Sequence, residues 1–133
     1  VSDPTGSLKI DTLDVNSKFL LNVKEGKLFV ITGRVKNGYS DVRSFISING
    51  KLYTKGKILA QTEKVFCGNF LSDIELSNME LEAIKKRLSN RSGENKSNMQ
   101  IKPGEELPFM IVFSNLPDDL EEFSIEVAGS TSG

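Results

Sequence analysis

Hydrophobic residues recur with a two-residue period in several separate segments of this chain, and this spacing limits its fold more than any other feature. The clearest segment runs from residue 28 to 36 and is rich in β-branched and aromatic residues, which favour a strand. The residues predicted to share one face of it are Phe29, Ile31, Gly33 and Val35. Asn37 and Gly38 follow, and both residue types accept the positive φ that ends a strand in a turn.

Other segments with the same period predict further strands. They cover residues 8–23, as one strand or two, and 44–53, 58–67, 109–114 and 123–127. Within 44–53, Asn49 and Gly50 could form a two-residue hairpin turn. The alternation stays in phase across them, so we predict one uninterrupted strand and place the turn at 54–57. Because residues 109–114 are apolar on both faces, this strand is predicted to be central in its sheet.

One segment has helical spacing instead. Leu81, Ile84 and Leu88 recur at intervals of three and four residues, and Ser77 with Glu80 has the pattern of a capping box. The same pattern occurs five residues earlier, so a short preliminary turn can precede the main helix. We therefore predict one inserted α-helix at about residues 72–90. Packing of its apolar stripe on a sheet is favoured over its use as a partner-binding helix.

The remaining segments set the limits of the domain. The length suits one domain over residues 1–133 with a core at about 8–128. Residues 1–7 and 129–133 are predicted to be flexible tails, and the polar segment 89–98 is predicted to be a mobile loop.

Few residues in the chain are suited to catalysis or metal binding. Its 133 residues include no histidine, no tryptophan and one cysteine, Cys67, whose flanks predict a buried core position. Zinc sites need Cys or His clusters, and the acidic run at 118–122 lacks the spacing of a calcium loop. We therefore predict no catalytic, cofactor-binding or metal-binding residues, and no enzymatic activity. The formal net charge of −1 argues against nucleic acid as a partner.

Five positions are predicted to be structural. Glycine at 33 leaves room for a bulge or for a close neighbour. Pro103 and Gly104 suit the two central positions of a type II turn. The full set is Gly33, Asn37, Pro103, Gly104 and Phe109.

Three stretches carry a resemblance to a known family: LFVITGRVKN at 28–37, KPGEELPFMIVFSNLP at 102–117 and FSIEV at 123–127. Together they resemble the C-terminal domain of unknown function in bacterial membrane proteins that begin with a zinc-ribbon finger. In that family a finger, a low-complexity linker and one transmembrane helix precede an immunoglobulin-like β-sandwich. The resemblance covers most of residues 19–128, and the five structural positions match its strand and turn motifs. It implies a periplasmic location and a membrane tether outside this chain.

The pattern of strands and turns predicts an immunoglobulin-like antiparallel β-sandwich, with a single closed barrel as the second choice. The leading functional hypothesis is a non-enzymatic interaction or adaptor domain with an unknown protein partner. A second hypothesis is a carrier of a small apolar ligand or lipid, whose cavity would be lined by Phe29, Ile31, Phe109, Ile111 and Phe113. A hydrolase that uses Cys67 or an acidic pair ranks last.

Overall fold

A computed structural model describes residues 2–133, and within them the chain forms six strands and two short α-helices. The strands are β1 (Ile10–Asn22), β2 (Gly26–Asn37), β3 (Arg43–Thr54), β4 (Ile58–Phe66), β5 (Glu106–Phe113) and β6 (Leu120–Ser132). The helices are α1 (Asp73–Asn78) and α2 (Leu81–Leu88), followed by a 3₁₀ turn at Glu94–Lys96.

The strands form two three-stranded antiparallel sheets, in the orders β1-β2-β5 and β4-β3-β6. Their facing sides enclose one apolar core, in which Ile31, Phe109 and Phe113 of the first sheet and Ile48 and Leu52 of the second are fully buried. The structure is therefore the mainly β, two-sheet sandwich that the sequence predicts, and the closed barrel is not formed.

The uninterrupted strand predicted across Asn49 and Gly50 is confirmed. Gly50 lies in the middle of β3 and pairs with Glu63 of β4 and Ile125 of β6. The turn follows at Gly56, which has φ 83°, and the Lys57 amide donates to the Thr54 carbonyl at 3.0 Å. A turn at Asn49 would have placed the following apolar residues on the wrong face.

Segment 8–23 forms one strand, β1, with a bulge. Its pairing with β2 shifts between Leu13 and Asn16, and the bulge lies opposite Gly33. A Cβ atom at position 33 would approach the Leu13 carbonyl oxygen to 3.1 Å. Glycine at position 33 therefore leaves space for the bulge of β1, as the sequence predicts.

The prediction that the strand at 109–114 is central is wrong. That strand is β5, which pairs only with β2 and lies at the edge of its sheet. Its outward-facing residues Met110 and Val112 are buried because the segment after β4 covers this face of the sheet. An edge position also accommodates Pro108, which has no N–H to donate.

The single helix predicted at about 72–90 is in fact two helices. Ser72 and Glu75 form the capping box, while Glu80 at the start of α2 makes no side-chain capping bond. The Asn22 side-chain amide of β1 donates to the carbonyls of Leu76 at 2.7 Å and Met79 at 3.0 Å. By satisfying these C-terminal carbonyls, Asn22 holds the end of α1, so Ser77 lies inside a helix and does not cap one.

The helical segment forms a third layer on the outer face of sheet β1-β2-β5. The apolar side chains that it buries there are Leu71, Leu76, Ile84 and Leu88. The packing role predicted for the apolar stripe is confirmed for Ile84 and Leu88.

The last strand extends beyond the predicted core boundary at 128. β6 continues to Ser132, which pairs with Arg43 of β3, and the Ser130 amide donates to the Thr5 carbonyl at 2.9 Å. Residues 129–132 are therefore part of the sheet, and a stretch of the N-terminal segment lies beside them.

Candidate functional site

The five positions predicted to be structural fall into two clusters. Gly33 and Phe109 meet in the core, where a Cβ at position 33 would lie 2.7 Å from the Phe109 ring. Asn37 and the turn at 102–105 meet at the end of β2, where the Gly104 amide donates to the Asn37 carbonyl at 2.7 Å. Gly104 has φ 84°, and the Glu105 amide donates to the Lys102 carbonyl, as the predicted type II turn requires. Phe109 and Asn37 are buried, whereas the turn residues Pro103 and Gly104 are exposed.

Four of the five residues proposed to line an apolar ligand cavity are fully buried among core atoms: Ile31, Phe109, Ile111 and Phe113. The fifth, Phe29, borders a surface hollow described below. A Cβ at Gly50 would lie 2.9 Å from Ile111 and 3.3 Å from Phe113, and Phe109 fills the space above Gly33. These contacts leave no room for a lipid chain at those positions, so the carrier hypothesis gains no support from them.

The only cysteine of the chain is buried. Cys67 has 0% exposure, and burial raises the pKa of its thiol well above the ordinary value. Because the thiolate is the reactive form, we expect thiol reagents to modify Cys67 slowly in the native protein and rapidly in denaturant. The time course of modification with a chromogenic disulfide reagent measures both rates. Rapid native reaction would show that the residue is accessible.

Residues 2–133 contain no candidate metal site and no candidate membrane-spanning helix. No group of three or more Cys, Asp or Glu side chains lies close enough together to hold a metal ion. No helix in the same part of the chain is long and apolar enough to cross a membrane.

A concave surface lies where the sandwich is open, between the edge strands β1 and β6. These strands belong to different sheets and do not pair with each other. The inner face of β1 extends past the opposite sheet, which leaves Phe19 54% and Leu21 71% exposed although both point toward the core side. The chain therefore exposes apolar side chains on a face that a sandwich ordinarily buries.

Two adjoining hollows form this surface, which we call the β1–β6 groove. Their volumes are about 440 and 320 Å³, within the range of ligand-binding clefts. Both are lined by Phe19 and Leu120. Residues 115–118 close one end, and Phe29 and Phe123 form the floor further along.

The floor of the groove is aromatic. The ring centroids of Phe19 and Phe29 lie 5.1 Å apart, and those of Phe29 and Phe123 lie 5.5 Å apart in an edge-to-face arrangement. Such contacts hold the rings in place, and Phe19 remains about half exposed. The floor is therefore a fixed apolar surface.

The rim of the groove is acidic. Its charged residues are Glu25, Asp118, Glu121, Glu122 and one lysine, Lys27. The lysine ammonium lies 5.1 Å from the Phe19 ring centroid. Within residues 2–133, none of the four carboxylates forms an ion pair with a basic side chain. The groove therefore combines an apolar floor with uncompensated negative charge.

Sequence reasoning did not identify this groove. Residues 19 and 123 are each predicted to lie in strands, but their proximity depends on which strands end the two sheets. The acidic run at 118–122 gives no sign in the sequence of the aromatic residues that lie beside it in the fold.

The fold and the groove together define a small β-sandwich domain that is open along one edge. The family model described as "Protein of unknown function (DUF3426)" matches residues 10–127, and the chain belongs to this family. A search of curated proteins found no match, and neither did a search of solved structures.

Proposed function

We propose that this chain is a non-enzymatic interaction domain that binds a protein partner through the β1–β6 groove. The observation that carries the proposal is the exposure of Phe19 and Leu21 on the inner face of a sandwich sheet. Exposed apolar surface bordered by polar groups is typical of protein interaction sites. A buried, unreactive Cys67 and the packed core supply no comparable site for chemistry.

We further propose that the domain acts on the periplasmic side of the bacterial inner membrane, in a membrane-anchored protein. The resemblance of its strand and turn motifs to proteins with a zinc-ribbon finger and one membrane span supports this location.

The burial of Cys67 allows one experiment to test both partner binding and location. Single cysteines are placed in the natural gene product as Leu21→Cys next to the groove on the inner face of β1, Ile74→Cys on α1 and Met99→Cys near the Arg43 end of β3, opposite to the groove. All three positions are exposed, so the substitutions should leave the core unchanged. Spheroplasts are then treated with a membrane-impermeant bismaleimide, and cross-linked products are separated by mass.

We expect the reagent to label all three variants and to cross-link a second protein at position 21 only. Labelling that requires permeabilised membranes would contradict the periplasmic location. Labelling without a cross-link at any of the three positions would contradict the interaction function. The parent protein, in which Cys67 is the only cysteine of this domain, provides the background.

A further inference from the structure

We infer that the β1–β6 groove binds an extended peptide segment with alternating basic and apolar side chains, which adds to the free edge of β6 as a further strand. This inference rests on the proposed function and specifies the chemistry of the partner. Three features support it: the free backbone edge of β6, the aromatic floor and the acidic rim.

The backbone of β6 offers an unpaired edge. β6 pairs on one side with β3, in regular register from Glu122 to Val127, and no strand pairs with its other side over these residues. At the far end the chain already uses this edge, because the Ser130 amide donates to the Thr5 carbonyl. A peptide strand could continue the same kind of contact along residues 122–127 and satisfy backbone groups that otherwise face water.

The position of this edge explains the apolar requirement. A strand added beside β6 would extend the second sheet over the inner face of β1, where Phe19 and Leu21 are exposed. Successive side chains of a strand point to opposite faces, so every second residue of the peptide would contact this floor. Apolar residues at those positions would cover the Phe19 ring and complete the sandwich.

The charge of the rim explains the basic requirement. Glu121 and Glu122 lie at the start of β6, and Glu25 and Asp118 face the same groove without ion-pair partners. The remaining peptide side chains would point to the outer face of the second sheet, the face of Glu122, where lysine or arginine would compensate its charge. The negative rim as a whole would repel an acidic peptide or an anionic lipid surface. The edge of β1 suits the role less well, because a bulge between Leu13 and Asn16 interrupts it.

The test uses a defined probe, the capped peptide Lys-Phe-Lys-Val-Lys-Val-Lys, titrated into the ¹⁵N-labelled domain and followed by amide chemical shifts. A peptide with glutamate in place of each lysine is the matched control. We expect the lysine peptide to shift the amides of Phe19 and of residues 122–127. Its affinity should fall about threefold or more between ~0.05 M and ~0.3 M salt because the attraction is screened.

Variants separate the groove from other acidic surfaces. The double substitution Glu121→Lys with Glu122→Lys should weaken the lysine peptide about tenfold or more, whereas Glu82→Lys on α2 should leave its affinity unchanged. Phe19→Ala should also weaken binding, whereas Ile74→Ala, which removes a still more exposed apolar side chain outside the groove, should not.

Several results would overturn the inference: no binding of the lysine peptide, equal binding of the glutamate peptide, shifts confined to other surfaces, or no effect of the groove variants. A cross-link at position 74 or 99 in spheroplasts, combined with any of these results, would retain the interaction function and move it to another face. Loss of both the peptide response and all cross-links would remove the function as well.

Discussion

Replacing Phe109 with alanine is expected to lower the free energy of unfolding by about 3–5 kcal/mol. The ring is fully buried in β5 and lies directly over Gly33 of β2, where no other side chain can fill the space that it would leave. Small domains have total stabilities of about 5–15 kcal/mol, so this single change should bring the protein close to unfolding at room temperature. Urea denaturation followed by far-ultraviolet circular dichroism measures the loss.

The matched control is Phe70→Ala. Phe70 is 50% exposed, and its removal should cost less than about 1 kcal/mol because it opens no closed cavity. A similar loss for both variants would contradict the assignment of Phe109 to a closely packed contact.

A double-mutant cycle tests the contact itself. Gly33→Ala should destabilise the protein by about 1–3 kcal/mol, because its Cβ would lie 2.7 and 2.8 Å from two ring carbons of Phe109. In the background of Phe109→Leu the ring carbons that clash are absent, and the alanine should then cost about 1 kcal/mol less. Strict additivity of the two changes would show that position 33 is limited by the bulge of β1 and not by the ring.

The strands could be predicted from the sequence because their signal is local. Alternation of apolar residues identifies β2, β3 and β6, and phase alone decides that β3 continues through Asn49 and Gly50. The turn at Pro103 and Gly104 is equally local, since its φ angles are set by the residues themselves. Such features can be predicted without knowing which residues lie on the other side of the core.

Predictions that depended on distant contacts were wrong. β5 has the composition of a central strand because the helical segment covers its outer face, and the eight residues of β5 give no sign of that cover. The single helix is divided at Met79 because Asn22, far away in the chain, binds the carbonyls at the end of α1. Ser72 with Glu75 and Ser77 with Glu80 match the capping-box pattern equally well, and tertiary contacts determine that only the first pair forms one.

The β1–β6 groove belongs to the same class of features. Phe19 and Phe123 are separated by most of the chain, and each lies on the inner face of its strand. Whether such a residue is buried or exposed depends on how far the opposite sheet extends. The exposure of such a residue is therefore set by the order of strands in the sheets, and no local sequence pattern predicts that order.

Replacing Asn98 with alanine is expected to lower the free energy of unfolding by about 2–4 kcal/mol. Its fully buried side chain accepts a bond from the Ile46 amide and donates to the Ile46 carbonyl, both at 2.9 Å. The register of β3 against β6 shifts between Ser44 and Ser47, so Ile46 has no partner there, and Asn98 takes the place of one. Alanine would leave the Ile46 amide buried without an acceptor, and thermal and urea unfolding measure the cost.

Two variants distinguish this bond from a general effect of the segment 89–98. Asn90→Ala alters an exposed side chain in the same segment and should change stability by less than about 0.5 kcal/mol.

Asn98→Asp keeps the acceptor for the Ile46 amide, but its second oxygen would face the Ile46 carbonyl. Burial and repulsion should therefore raise the folded-state pKa of the new carboxyl. A raised folded-state pKa favours the protonated form on folding, and the penalty of Asn98→Asp should therefore shrink as the pH falls through that pKa toward the ordinary range of aspartate, about 4. A penalty independent of pH, or a loss for Asn90→Ala as large as that for Asn98→Ala, would contradict the role of Asn98 as the partner of Ile46.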